Sequence, residues 1–229
     1  VYTYLWAWAL MLFGIKGQLA IQILQAAALS ISPVFVFIFT RKYMGPTVAI
    51  LAATWFAFYP ELLILSSTMY VDSLALFFWC ATLGLFATLQ GRERPAWGLV
   101  VVLGLCVGIM ALTKSRLLAL AFALLVALGL GGLTRQSRPP RWRRNAALLV
   151  AAIAIVVVAP WSVRNFVVHG QPVLVEATSG HNFWFGHNEA ATGTGKMRLG
   201  SGDMFAPELD KYATGPYSFP RSDALLAEL

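Results

Sequence analysis

The chain has 229 residues, 59% of them hydrophobic and only 12% charged, with a mean hydropathy of +0.70. A soluble domain carries about a quarter charged residues, so this composition excludes a soluble globule around one buried core. The net charge of +7 is not a nucleic-acid footprint, because the arginines sit in short joints between apolar stretches.

In chain order, residues 1–17 (VYTYLWAWALMLFGIKG) are aromatic and too short to span with their flanks. They read as an outer-face interfacial helix running into a first span. Six apolar segments follow: Gln18–Thr40, Pro46–Leu65, Ser73–Gln90, Trp97–Thr113, Leu117–Leu133 and Asn145–Ala159. Each approaches the ~20 residues that cross ~30 Å of hydrocarbon, and none has a charged residue in its interior. The segment Trp161–Leu229 is rich in Gly, Pro and aromatic residues, with weak periodicity, and reads as an outer-face loop region. Its end, SDALLAEL, resembles a helix just begun at Ser222, so the chain is expected to be a fragment, inactive by itself. Expected fold and organisation are therefore all-α: a multi-pass transmembrane helical bundle of about six spans, 18–160, between an interfacial segment, 1–17, and outer loops, 161–229.

Orientation follows from Lys and Arg in short loops. With the N-terminus outside, the inner joints are Arg41–Lys42, Gly91–Pro95 and Thr134–Arg144, which together hold nine basic residues. Of ten acidic residues only Glu93 falls inside. Trp97–Leu133 read as one helix would bury Lys114 and Arg116 mid-span and turn the arginine-rich loop outward. Two short helices meeting at Thr113–Arg116 avoid both, so a hairpin is expected. Cys80 and Cys106 lie in apolar segments and imply neither a disulfide framework nor a metal pattern. The phosphate-loop hint in Thr192–Met197 lacks its first glycine and has Met after the Lys.

Charge-free spans argue against an ion-coupled pump, which needs ionisable groups near the midplane. The notable charges lie in outer joints: Glu61 and Asp72, then Lys114 and Arg116, then Arg164 with Asn165. A carboxylate can act as general base on an acceptor hydroxyl, and fixed cations can hold a phosphate leaving group. This set suits a lipid substrate with an anionic phosphate head. Each residue also has a plainer reading. Asp72 can cap the third span with Ser73, Lys114 and Arg116 can snorkel to the interface, Arg164 can anchor a boundary beside Trp161, and Glu61 can be structural. His181 and His187 share a loop with Glu189, but that set lacks a third ligand at metal-binding spacing, so no metal site is assigned.

The joints, taken together, resemble a known family. They run Arg41-Lys42-x-x-Gly45, Pro60 near an outer end, the acid of VDSLALFF, the turn Ala111–Lys114, PWSVRNF from Pro160 to Phe166, and GHNFWFGHNEAATG from Gly180 to Gly193. This order is similar to the bacterial membrane glycosyltransferases of the GT-C superfamily, in the family 39 group of protein O-mannosyltransferases and lipid A aminoarabinose transferases. PWSVRNF with GHNEAATG is the specific part of the likeness.

The resemblance implies transfer of a sugar from a polyprenyl-phosphate donor to a lipid, glycan or protein acceptor, with inversion, on the periplasmic or extracellular face of the cell membrane. It places Asp72 near the active site, Lys114 at the lipid phosphate, and Arg164 with Asn165 in a structural or substrate-positioning role; Arg116 joins Lys114 by its charge and place in the same outer joint. No cofactor is assigned, and a divalent metal is left open. The family's main catalytic acid is expected in a first outer loop upstream of Val1. His187–Asn188–Glu189 departs from the usual Asn-Asn-Pro. Two rival readings are a polyprenyl-linked oligosaccharide polymerase, ligase or flippase, and a non-catalytic membrane scaffold.

Overall fold

A computed structural model describes residues 2–68, 70–115, 117–129, 141–170 and 172–175. The chain forms two compact units, Val1–Pro160 and Trp161–Leu229. Among the described residues the architecture is all helical, as expected: α1 (Tyr2–Phe13), a 3₁₀ turn (Gly14–Lys16), α2 (Gly17–Met44), α3 (Pro46–Phe58), α4 (Pro60–Ser67), α5 (Asp72–Gln90), α6 (Trp97–Thr113), α7 (Leu117–Gly129) and α8 (Arg141–His169).

Three stretches are long and apolar enough to cross a bilayer: Tyr2–Met44, Asp72–Gln90 and Arg141–His169. Helices α3 and α4, bent by 45° at their break, make a fourth if taken as one span. The bend has a local cause. Tyr59 is extended (φ −67°, ψ 117°) and Pro60 opens α4 at its first turn, where a missing N–H costs nothing. The two remaining expected spans, α6 and α7, are shorter apolar helices of 17 and 13 residues, about 25 and 20 Å long. They are shorter because the chain breaks between them at Lys114, which is extended (φ −144°, ψ 107°).

The sequence pointed to an interfacial helix running on into the first span. Instead, α1 folds back along α2. The Tyr2 hydroxyl accepts a hydrogen bond from Gln25 at 3.0 Å, which no continuous helix could allow. Gly14 takes φ +56° at the turn, and a Cβ on Gly17 would overlap the Ala9 carbonyl. The reversal therefore needs glycine at both positions.

The other directions follow from contacts in the same unit. Gln25 meets Tyr70, Phe35 lies against Gly84, and Lys42 lies against Gly91, so α2 and α5 run parallel. Asp72 meets Lys114, so α6 returns antiparallel to α5. Gly104 and Gly108 face Ile153 and Val157 of α8, a close approach of the kind that small residues four apart permit between membrane helices. Gly129 lies over Ala147, so α7 runs opposite to α8 and pairs with α6 as the expected hairpin.

The core joins four helices. Phe86 and Leu89 of α5, Val100, Leu103, Val107 and Met110 of α6, Ala121 and Leu128 of α7, and Ala146 and Val150 of α8 form one buried cluster. Outside it, large apolar side chains stay exposed, among them Trp55 at 74% and Val156 at 70%. In water that surface would be an aggregation hazard; against hydrocarbon it is the expected one.

One expectation fails at the sixth segment. It does not end at Ala159 with a loop opening at Pro160. Helix α8 continues through Pro160 to His169, so PWSVRNF is helical. A proline inside a membrane helix is tolerated where neighbouring groups re-satisfy the freed backbone.

Candidate functional site

The first unit gathers its polar side chains at two opposite ends of the helices. At one end lies the joint between α4 and α5. Thr68 Oγ1 donates to the Leu65 carbonyl at 2.9 Å, and so does Ser73 Oγ. From α2, Gln22 donates to the Ser67 carbonyl at 2.9 Å and Gln25 to the Tyr70 carbonyl at 2.6 Å. Gln25 is fully buried, with its amide nitrogen shared between Tyr2 and Tyr70. Two glutamines one helical turn apart thus clamp the joint onto α2 and fix where α5 begins.

Asp72 stands in the first turn of α5, and its carboxylate accepts a hydrogen bond from Lys114 Nζ as an ion pair. The capping reading does not hold. Val71 occupies the cap position with no side-chain cap bond, while Ser73 is turned to Leu65. Lys114 immediately follows the last turn of α6, and its own N–H closes that helix on the Met110 carbonyl at 3.0 Å. An anion at a helix N-terminus and a cation at a helix C-terminus are both favoured by the helix dipoles, so each partner would sit well alone. Lys114 is the more covered partner, with 21% of its side chain exposed against 42% for Asp72. The carboxylate is left open on one side while the ammonium holds it. Glu61, by contrast, is exposed in the first turn of α4.

Arg164 and Asn165 belong to the second unit. Asn165 is buried at 3% exposure. Its amide donates to the carbonyls of Val173 and Val175 at 3.3 and 3.2 Å and accepts from Arg164 at 3.2 Å. Trp161 Nε1 donates to the Val175 carbonyl at 3.0 Å and Ser162 to the Leu174 carbonyl at 2.7 Å. The last turns of α8 therefore clip the returning segment Val173–Val175 onto themselves. Arg164 lies over the Trp161 ring, 5.1 Å from its centroid. Arg116, His181, His187, Glu189 and the loop Gly180–Gly193 lie outside the described residues.

Residue reasoning thus singled out Asp72 and Lys114 separately but missed their contact and what holds it. The available signal was Gln18, Gln22 and Gln25 in an otherwise apolar run. Their spacing puts them on one helical face, and polar side chains there can bond across helices.

An all-helical, lipid-facing bundle with an acid–base pair at one end fits many membrane proteins, and the comparison with known families narrows the choice. The model of the dolichyl-phosphate-mannose-protein mannosyltransferase family matches residues 1–163. The chain belongs to that family. It is accordingly an integral membrane glycosyltransferase of the GT-C type. No curated protein and no solved structure matches it. The match covers Asp72, Lys114 and Arg116 and ends at Val163, just before Arg164 and Asn165. The match thus takes in the whole bundle and the first four residues of PWSVRNF, and stops short of GHNEAATG.

Proposed function

We propose that this glycosyltransferase takes its sugar from a polyprenyl-phosphate donor and passes it to a lipid, glycan or protein acceptor at the outer face of the membrane. The observation that carries this reading is the Asp72–Lys114 pair at the start of α5 and the end of α6. The opposite end of the same helices bears Arg41, Lys42, Arg92, Arg94, Arg141, Arg143 and Arg144, and short loops rich in Lys and Arg favour the cytoplasmic side. Asp72 then lies outside, where a lipid-linked phosphate in the outer leaflet can reach it.

The chemistry is a displacement at the anomeric carbon. The bond from that carbon to the phosphate oxygen breaks, and the polyprenyl phosphate leaves with the electron pair. The acceptor oxygen forms the new bond, and its proton goes to a carboxylate. In this reading Asp72, the more exposed partner, receives that proton or orients the acceptor. Lys114 exchanges part of its hold on Asp72 for the phosphate and stabilises the departing charge. Arg116 adds a second cation two positions after Lys114 in sequence. Arg164 and Asn165 position the chain after α8, with Arg164 the one of the two exposed enough to meet substrate.

The test is transfer by the intact protein in proteoliposomes, with radiolabelled sugar on a polyprenyl phosphate added to the outer face. Covalent incorporation into an acceptor supports the proposal. Movement of the labelled lipid between leaflets without incorporation would replace it by the flippase reading, and neither event would leave the scaffold.

A further inference from the structure

The other end of the bundle holds a second polar cluster, which the transfer reaction does not use. Four polar residues from three helices lie near one another where α5 ends. Arg143, at the start of α8, is 3% exposed and donates to the Gln90 carbonyl at 3.0 Å. Lys42, in the last turn of α2, brings its Nζ to 3.3 Å from where a Gly91 Cβ would lie. Gln90 is 4% exposed, and both of its amide atoms are buried without a hydrogen-bond partner. The Tyr43 hydroxyl is likewise buried and unpartnered, within range of the Arg143 charge.

Two cations at a helix C-terminus have a structural use, since they answer its exposed carbonyls. That use does not explain Gln90 or Tyr43. A buried amide and a buried hydroxyl with no partner are costly and are normally satisfied by protein, water or ligand. Together the four side chains offer an ammonium, a guanidinium, an amide N–H and a hydroxyl. These four donors suit one acceptor-rich anion, which would answer the Gln90 amide nitrogen and the Tyr43 hydroxyl but not the Gln90 amide oxygen. Lys42 is exposed, so the cluster opens to the surface on its side. Trp142 frames it: its indole N–H donates to the Glu93 carbonyl at 3.0 Å, and the Arg143 guanidinium lies 5.7 Å from its ring centroid. Tryptophan at this level marks the headgroup zone, and basic pockets between helix ends take phospholipid heads.

We propose that Lys42, Tyr43, Gln90 and Arg143 form a binding site for the phosphate of an anionic phospholipid at the arginine-bearing end of the bundle. The lipid's tails lie along the apolar flank of the helices, and its phosphate bridges the ends of α2, α5 and α8.

The experiment uses the intact protein in nanodiscs of phosphatidylcholine alone or with phosphatidylglycerol, followed by thermal unfolding. Phosphatidylglycerol should raise the midpoint by at least about 2 °C. Gln90→Met and Tyr43→Phe, which keep size and shape, should each remove half or more of that gain. Arg92→Gln with Arg94→Gln, at the same end but outside the cluster, should keep it. Tyr43→Phe alone decides the matter if Gln90→Met does not fold. The proposal is overturned if Tyr43→Phe keeps the whole gain, if Arg92→Gln with Arg94→Gln abolishes it, or if wild type shows none. An equal gain from inorganic phosphate in phosphatidylcholine discs would overturn the lipid as the ligand.

Discussion

Asp72 and Lys114 allow a structural pair to be separated from a catalytic one by magnitude. As a structural contact the pair is worth little. Both side chains are partly exposed, Asp72 at 42% and Lys114 at 21%, and exposed ion pairs contribute about 0.2–1 kcal/mol. Losing a favourable helix-dipole contact adds about 0.3–1 kcal/mol. Asp72→Asn should therefore cost stability by about 1 kcal/mol. Asn keeps the shape, and because Asp72 does not cap α5, no cap is lost. As a general base the residue is worth more, because its loss typically lowers turnover by about 10²-fold or more, or roughly 2.7 kcal/mol of barrier.

The assay is sugar transfer per folded molecule for Asp72→Asn, Lys114→Gln, the double variant and the exchange Asp72→Lys with Lys114→Asp. If the pair acts in transfer, the single variants fall about 10²-fold. The double falls no further than the worse single, since groups that act as a unit are not additive. The exchange restores attraction between the residues but puts the cation where the base must be, so it stays inactive. An exchanged protein that transfers at near wild-type rate would refute the reasoning, as would Asp72→Asn with unchanged turnover.

Three further outcomes follow from the geometry. With Cys80 and Cys106 replaced, single cysteines at Glu61 and Arg94 should label oppositely with an impermeant reagent in intact cells, open at Glu61 and shielded at Arg94; equal labelling would end the outer-face assignment. Gly108→Leu should destabilise by about 1–3 kcal/mol or more, the scale for overpacking, because even a Cβ there would lie 2.7 Å from Val157; Gly98→Leu, with nothing within 4 Å, should be near neutral in the same thermal assay. Asn165→Leu removes the donor to Val173 and Val175 and should free the segment after Gly170 for limited proteolysis, at a stability cost of about 1–3 kcal/mol for the carbonyls left unpaired; an unchanged cleavage pattern would mean that the clip does not hold that segment.

The helical bundle was legible because hydrocarbon imposes a coarse rule. A helix satisfies its own backbone, so long apolar runs between polar joints read directly as membrane helices. The hairpin at Lys114 was legible for a related reason, since the alternative put two cations mid-span. What was not legible depends on single backbone angles. The apolar pattern of VYTYLWAWALMLFGIKG does not tell a helix running on from one folding back, because both bury apolar side chains. The difference lies in Gly14 at φ +56° and the missing Cβ of Gly17. Pro160 misled in the other direction. Proline usually marks a helix end in water, yet α8 runs on to His169.

The candidate site was half legible, and the reason is physical. Charges announce themselves in an apolar sequence, so Asp72 and Lys114 stood out. Their contact did not, because forty-two positions separate them and only the antiparallel return of α6 brings them together. The glutamines that fix the joint were passed over because they are neutral. Inside a membrane bundle, neutrality does not make a polar side chain idle. Gln25 holds the joint before α5, and Gln90, at the far end of the same helix, has both amide atoms buried without a partner. One helix thus meets a polar network at each end, with the Gln25 amide nitrogen bonded at one and both Gln90 amide atoms buried without a partner at the other. The first positions Asp72 from within the chain; the second, on the argument above, is completed by a lipid phosphate from outside it.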